Sequence, residues 1–299
     1  MKTMPPTAII GATGFLGRNF LSVYRKVRPD TIGTSRRAQE GLVPLDLLSA
    51  DIKPLKLAGC RDALIFSSMC GMQACEQDQV LSHRINVEGT LELVRQLAAA
   101  GIKPVFFSSE IVFDGMSGGY DELALRRPCN AYGRQKVEAE DGIRQICSAG
   151  NYLIVRLSKV FSLIKGDGTF FDEMASILRR GGVVRAAADQ KISPTLVSDL
   201  VEVVAELQCS GATGTVHVSA PEVWSRYALA LALAQRMKVD PARVEKISLD
   251  DLRESYKRPK DPSMNTDKLN NLVNRTFTPI RQCIAEVAAN WEERAGGPC

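Results

Sequence analysis

Short apolar runs alternate with helical patterns along the first half of the chain. The runs predict buried strands at residues 8–10, 31–34, 42–45, 63–66, 104–107 and 152–155. The amphipathic stretches between them predict helices, among them 15–27, 87–100 and 131–147. Strands that alternate with helices predict a parallel sheet covered on both faces. We therefore expect a doubly wound α/β unit in this half of the chain.

The second half has a looser pattern, in which glycine-rich turns separate longer helical stretches. Helices are predicted at 171–179, 197–207, 227–237 and 278–293. The last of these has the i, i+3, i+4, i+7 apolar spacing of an amphipathic helix. The pattern predicts a first domain over residues 1–158 and a smaller α/β lobe over 159–299. A segment near 195–220 is able to return to the first domain.

Composition and charge argue against several classes of protein. The chain is 45% hydrophobic and 24% charged, as soluble globular proteins are. Its net charge of +4 comes from scattered residues without a basic face, so nucleic acid is not an expected partner. No apolar run approaches the roughly 20 residues that span a bilayer, and the start lacks a signal-peptide pattern. We expect a cytoplasmic protein with no membrane partner.

Cysteine and histidine usage gives no sign of a metal site. The eight cysteines include no CxxC pair, which favours free, reduced thiols. The two histidines, His83 and His217, are isolated in the sequence, and His217 lies in an alternating run typical of a strand. We therefore predict no metal ligands.

A glycine-rich turn, GATGFLG, follows the first predicted strand and opens the first predicted helix. Gly11 permits a tight turn, Gly14 lets a pyrophosphate approach the backbone, and Gly17 allows close packing of the helix. The helix N-terminus supplies amides that suit an anion. An ordinary strand-to-helix turn can have the same spacing, so the context carries the prediction. The expected dinucleotide contacts here are Gly11, Thr13, Gly14, Phe15, Leu16 and Gly17.

The end of the second predicted strand carries arginines instead of an acid. An acidic residue there would bind the adenosine ribose and reject a 2′-phosphate. Arg36 and Arg37, beside the hydroxyl of Ser35, offer donors for a phosphate dianion, which favours NADP(H) over NAD(H). Two solvated loop arginines would give the same sequence. Further cofactor contacts are predicted after other strands, at Asp46 and Leu47 for the adenine ring and at Ser67, Ser68 and Ser108.

Tyr132 and Lys136 are four residues apart, which places them on one face of a predicted helix. A nearby cation favours the phenolate, so we expect Lys136 to lower the pKa of Tyr132. Tyr132 would then protonate a carbonyl oxygen while a hydride reaches the carbon, and Lys136 would also reach the nicotinamide ribose. Ser109 follows a predicted strand at the edge where ligands bind and would orient the carbonyl. A serine there can equally be a helix cap.

Several separate stretches, in order along nearly the whole chain, resemble the extended short-chain dehydrogenases and most closely the dTDP-4-dehydrorhamnose reductases. They are GATGFLG, Glu76 with Ile85-Asn86, SSEIVFDG at 108–115, residues 128–136 and 156–161, ADQKISPT at 188–195 and RPKDPSMNTDKL at 258–269. The resemblance implies an NAD(P)-binding Rossmann domain with a substrate lobe. It also implies catalytic roles for Ser109, Tyr132 and Lys136.

The resemblance extends to residues around the catalytic set. It implies that Asn86 supports the catalytic lysine beside the cofactor, and that Glu110 is the acidic neighbour of the catalytic hydroxyl, on the substrate side. Arg258 is a candidate for the diphosphate of a substrate. The sugar dehydratases of this superfamily have a second acid where Ile111 stands, which disfavours dehydration.

Two positions depart from the reductase pattern, and they leave alternatives open. The family usually has an aromatic residue where Ile111 stands and a tryptophan where Lys159 stands, both lining the sugar pocket. These two departures would suit a different sugar, a different nucleotide or the loss of the substrate. The first hypothesis is NADPH-dependent reduction of a 4-keto group on a nucleotide-activated 6-deoxysugar. The alternatives are another nucleotide-sugar epimerase or reductase, and a non-catalytic NADP-binding regulatory subunit like the β subunit of methionine adenosyltransferase. A homodimer and a magnesium requirement both stay open.

Overall fold

The computed structural model describes residues 6–147 and 150–292. Its strands are β1 (Thr7–Ile10), β2 (Ile32–Ser35), β3 (Val43–Pro44), β4 (Asp62–Ile65), β5 (Lys103–Ser109), β6 (Leu153–Leu157), β7 (Val160–Phe161), β8 (Val184–Ala187), β9 (Lys191–Ile192), β10 (Thr195–Leu196), β11 (Gly214–Val218), β12 (Trp224–Ser225) and β13 (Val244–Ile247). Its helices are α1 (Phe15–Val27), α2 (Lys53–Leu57), α3 (Met72–Gln77), α4 (Gln79–His83), α5 (Thr90–Ala99), α6 (Ala131–Ile146), α7 (Phe170–Arg179), α8 (Val197–Cys209), α9 (Arg226–Arg236), α10 (Asp267–Leu272) and α11 (Ile280–Trp291).

Seven of these strands form one parallel sheet. Their order is β3-β2-β1-β4-β5-β6-β11, and each neighbouring pair is parallel. The chain leaves β1 towards β2 on one side and later returns to its other side as β4, so the strand order reverses there. Ligands of open α/β sheets bind at such a reversal, outside the carboxyl ends of the strands. The predicted doubly wound α/β fold is confirmed.

Helices cover both faces of the sheet, which is why its central strands are buried and mostly apolar. On one face, α1 and α8 pack together through side chains that include Phe20, Tyr24 and Val204. On the other face, α5 and α6 contribute Leu97 and Ile143. The segment near 195–220 thus supplies α8 to one face and β11 to the edge of the sheet.

A second apolar cluster lies in the later part of the chain. Helices α7, α9 and α11 meet there through side chains such as Phe171, Leu233 and Ile284. Strands β8 and β13 pair in parallel beside them. The last predicted helix, 278–293, is present as α11, and Glu293 lies outside the described residues.

Two features qualify the sequence predictions. The helix predicted at 87–100 begins as α5 at Thr90, because a π-helical segment, Arg84–Gly89, precedes it. Seven cysteines are free thiols, and Cys299 lies outside the described residues. Within those residues, no helix has the length and apolar character needed to cross a membrane.

Candidate active site

A pocket of about 390 Å³ opens at the carboxyl edge of the sheet. The residues that line it lie at or just after the carboxyl ends of β1, β4, β5 and β6, or in the first two turns of α1 and α6. It brings together much of the predicted site, namely Gly14, Phe15, Leu16, Gly17, Ser68, Ser108, Ser109, Tyr132 and Lys136. The glycine turn and the candidate catalytic residues therefore share one cavity.

The glycine turn has the geometry that its sequence predicts. Gly11 has a φ of +84°, and a Cβ there would lie 2.5 Å from the Ser67 hydroxyl oxygen. A Cβ on Gly17 would overlap the carbonyl oxygen of Gly11. Gly14 has space, since a Cβ there would approach only that carbonyl, at 3.6 Å. The space lies at the N-terminus of α1, where no side chain caps the free amides. Thr13 is exposed beside them.

The two arginines after β2 are exposed, while the serine before them is buried. Ser35 is buried, and Arg36 and Arg37 reach solvent without a hydrogen bond or ion pair to any residue that the structure describes. Their donors are therefore available to an anion near the carboxyl end of β2. Asp46 instead caps a short turn by accepting from the Leu48 amide at 3.0 Å, and the Leu47 side chain packs in the core.

Asn86 acts on the loop that follows β4. Its amide group donates to the Met69 carbonyl at 3.0 Å and accepts from the Met69 amide at 2.8 Å. It also donates to Gln135 on α6 at 2.8 Å. These bonds fix the loop that presents Ser68 and Cys70 to the pocket. No direct hydrogen bond joins Asn86 to Lys136 within the described residues.

Lys136 is held beside Tyr132. Its Nζ donates to the Phe107 carbonyl at 2.9 Å and lies 5.6 Å from the centre of the Tyr132 ring. Burial disfavours the ammonium and lowers the pKa of Lys136 to about 8. Burial also raises the pKa of Tyr132 well above its ordinary value, helped by the nearby Cys70 and Cys75. The predicted lowering of the Tyr132 pKa is therefore wrong for the protein alone, because burial raises that pKa.

The N-terminus of α6 is fixed by two side chains. Asn130 accepts from the Gly133 amide at 2.9 Å, and Glu76 of α3 accepts from the Ala131 amide at 2.9 Å. Glu76 belongs to one of the stretches that resemble the reductases, and this hydrogen bond gives it a structural role at the start of α6. Both bonds set the position of Tyr132 in the first turn of the helix.

A buried polar network joins α6 to the ends of β5 and β6. Ser109 caps a short turn, since its Oγ accepts a hydrogen bond from the Ile111 amide at 3.3 Å. The same residue lines the pocket. Ser108 donates to Glu140 at 2.6 Å, and Glu140 accepts two hydrogen bonds from Arg156. Ser108 is therefore engaged with the protein even though it lines the pocket.

Glu110 is 5% exposed, and its Oε2 has no hydrogen-bond partner. Burial raises the pKa of Glu110 to about 8, although Ser158 and Lys159 oppose this shift. Arg258 is directed to its own neighbours, donating to Glu254 at 2.6 Å and to the Tyr256 hydroxyl at 2.6 Å. It does not line the pocket with Tyr132.

Sequence reasoning missed some pocket residues. Ser158 lines the pocket directly after β6, and Cys70 lines it after β4. Lys159, which the comparison with the reductase pattern assigns to the sugar pocket, lines it next to Ser158. The rule that selected Ser109, a polar residue at the carboxyl end of a strand, would also have found Ser158. No comparable signal marks Cys70, which lies well beyond its strand.

A parallel doubly wound sheet, a glycine turn before α1 and a tyrosine–lysine pair at the same edge define the class of extended short-chain dehydrogenases. The family model described as the RmlD substrate binding domain matches residues 6–292. The chain therefore belongs to this family.

Similar proteins include dTDP-sugar reductases and a subunit of methionine adenosyltransferase. The chain is 29% identical over 184 residues to the dTDP-4-dehydrorhamnose reductase of Mycobacterium tuberculosis (strain CDC 1551 / Oshkosh), a match that covers only 59% of each chain. It is 25% identical over 295 residues to methionine adenosyltransferase 2 subunit beta of Mus musculus, covering 93% of this chain and 85% of that protein. A solved structure, described as a hypothetical dTDP-4-dehydrorhamnose reductase from Sulfolobus tokodaii, matches with a TM-score of 0.80 and 26% identity, covering 93% of this chain and 98% of that one.

Proposed function

We propose that this protein is an NADP(H)-dependent reductase of a keto group on a nucleotide-activated sugar. The 4-keto group of a deoxysugar is the first candidate, because relatives are named for such reactions. The observation that carries the proposal is the shared pocket, in which the glycine turn faces Ser109, Tyr132 and Lys136. We also propose that the cofactor is bound by residues of 1–158 and the sugar nucleotide largely by residues of 159–299.

The residues present fit a dinucleotide with a 2′-phosphate. The space at Gly14 and the uncapped amides of α1 suit a pyrophosphate. The unpaired Arg36 and Arg37 suit the 2′-phosphate, which supports NADP(H) while NAD(H) stays open. Bound NADPH would supply a hydride.

The candidate catalytic residues would then handle the proton. Tyr132 is protonated at neutral pH, since the ordinary tyrosine pKa is already about 10 and burial raises it further, and this is the form that a proton donor needs. It would donate its phenolic proton to the carbonyl oxygen, and the Ser109 hydroxyl would hydrogen-bond to that oxygen. Lys136, held by the Phe107 carbonyl, would stabilise the resulting phenolate. The product is an alcohol, and the proton on Tyr132 is then replaced from solvent.

A second candidate is a non-catalytic regulatory subunit. The broad match to methionine adenosyltransferase 2 subunit beta favours it, since that match spans most of both chains. The raised pKa of Tyr132 does not distinguish the reductase from the regulatory subunit, because a protonated Tyr132 is compatible with both. Turnover of a substrate does distinguish them.

The experiment is an assay of NADPH oxidation with a panel of 4-keto nucleotide sugars, run beside a titration of NADPH binding. We expect NADPH to bind and at least one sugar to be reduced. Binding without turnover of any sugar would favour the regulatory subunit. If neither NADPH nor NADH binds, both candidate functions are overturned.

A further inference from the structure

Lys159 places a positive charge in the wall of the pocket, beside the candidate catalytic residues. It follows β6 after one residue, and its carbonyl accepts from the Thr195 amide at 2.9 Å, which fixes its backbone. It lines the same cavity as Ser109 and Tyr132. Within 6–147 and 150–292, its ammonium has no hydrogen bond or ion pair.

Two further cations lie close enough to act on Lys159. Burial within the concave wall lowers the pKa of Lys159 although its side chain reaches solvent, and Arg226 and Arg258 lower that pKa further. The Arg226 guanidinium lies 5.9 Å from the centre of the Phe170 ring, and no carboxylate of the described residues pairs with it. Lys159 and Arg226, which have no ion-pair partner among the described residues, repel one another, and an anionic ligand would relieve that repulsion.

The nearby carboxyl groups leave this charge largely uncompensated. Glu110 and Glu173 are the acids that favour the charged form of Lys159. Burial raises the pKa of Glu110 to about 8, so it carries little charge at neutral pH. Glu173 is exposed on α7, where solvent screens it. Glu254 is already bound to Arg258.

The position of Lys159 decides which anion it meets. Arg226 and Arg258 do not line the cavity with Tyr132, and Arg258 is already paired with Glu254. Lys159 shares the cavity with Tyr132 and therefore faces the sugar. In a hexose, C6 is attached to the ring carbon next to C4, so a group on C6 lies beside the reacting carbonyl.

We propose that Lys159 binds a carboxylate at C6, so that the substrate is the 4-keto form of a nucleotide-activated hexuronic acid and the product is the hexuronic acid itself. This rests on the proposed function, since it needs a nucleotide sugar in this pocket. It replaces the neutral C6 methyl group of a 6-deoxysugar by an anion.

Titration calorimetry with NADP⁺ present tests the proposal using stable sugar pairs. The pairs are UDP-glucuronic acid against UDP-glucose and the corresponding dTDP sugars, which differ only at C6. The variants are Lys159→Met, which removes the charge, and Lys159→Arg, which keeps it. Lys53→Met, at an exposed position on α2, is the control for loss of a surface charge. Circular dichroism spectra check that each variant is folded.

We expect the wild type to bind the uronic acid at least about tenfold more tightly than the hexose, as one charged hydrogen bond allows. Lys159→Met should abolish this preference and leave the hexose affinity unchanged, while Lys159→Arg and Lys53→Met retain it. Equal weakening of both sugars in Lys159→Met would overturn the proposal and assign Lys159 to the diphosphate. Equal wild-type affinities would overturn it and leave the proposed function standing. If no nucleotide sugar binds the wild type, the proposed function itself fails.

Discussion

Glu140 of α6 and Arg156 of β6 form a bidentate ion pair that is almost completely buried. The Arg156 Nε lies 2.9 Å from one carboxylate oxygen, and a terminal nitrogen lies 2.7 Å from the other. Ser108 donates to the same carboxylate. This pair connects the helix that bears Tyr132 and Lys136 to the strand that precedes Lys159.

Removing one partner of this pair leaves a buried, uncompensated charge. Glu140→Ala should lower the free energy of unfolding by about 3–5 kcal/mol, measured by urea denaturation. The matched control is Glu92→Ala, which removes an exposed pair with Arg95 and should cost less than about 1 kcal/mol. Equal losses in the two variants would contradict the importance of burial here.

Tyr132→Phe tests the proton donor. The variant keeps the ring that packs beside Lys136 and loses only the hydroxyl. We expect no measurable reduction of a substrate that the wild type reduces, with NADPH affinity retained, as judged by NADPH fluorescence titration. Tyr152→Phe, outside the pocket, should keep wild-type activity. Loss of NADPH binding in Tyr132→Phe would instead indicate a structural role.

The exposed arginines after β2 should discriminate between the two dinucleotides. Arg36→Ala combined with Arg37→Ala removes donors for a 2′-phosphate, so the NADPH dissociation constant should rise by about tenfold or more while that of NADH changes little. Arg179→Ala with Arg236→Ala removes the same charge from exposed positions on α7 and α9 and should leave both unchanged. Equal effects on the two cofactors would place the phosphate site elsewhere.

Substitutions of Gly14 and Gly17 should have different effects, one on cofactor binding and the other on stability. In Gly17→Ala, the methyl group overlaps the Gly11 carbonyl, so we expect a loss of about 1–3 kcal/mol in the free energy of unfolding. In Gly14→Ala, the methyl group has room in the protein but occupies the space proposed for the pyrophosphate. Stability should change by less than about 1 kcal/mol, and NADPH affinity should fall by about tenfold, the equivalent of one charged hydrogen bond. A larger loss of stability in Gly14→Ala than in Gly17→Ala, with NADPH affinity unchanged in Gly14→Ala, would contradict the pyrophosphate site proposed at Gly14.

Glu110 should make stability depend on pH. Its pKa rises from the ordinary 4.5 to about 8 in the folded protein, so between these values the folded state holds a proton that the unfolded chain has released. The free energy of unfolding should therefore fall as the pH rises through this window, by at most about 1.4 kcal/mol per pH unit. Glu110→Gln should flatten this dependence in urea denaturation across the window, whereas the exposed Glu245→Gln should follow the wild type.

The sheet could be predicted from the sequence because its strands are apolar on both faces. The glycine turn could be predicted because its residues are contiguous. The start of α5 was misplaced, since the π-helical segment before it keeps a helical apolar pattern. The predicted shift of the Tyr132 pKa had the wrong direction, because the sequence shows the neighbouring cation but not the depth of burial. The approach of Arg226 to Lys159 depends on the packing of α9 against β8, β12 and β13, which no local pattern reveals.

The pairing of β11 with β6 has a consequence for dividing the chain. All five residues of Leu153–Leu157 are buried, and β11 supplies the hydrogen-bonding partner on their outer side. A fragment that ends before Gly214 would leave this mostly apolar strand as an unpaired edge, and such edges pair with other chains. We therefore expect the first 158 residues to be prone to association when expressed alone, and an exchange of substrate lobes between relatives should carry β11 with the sheet.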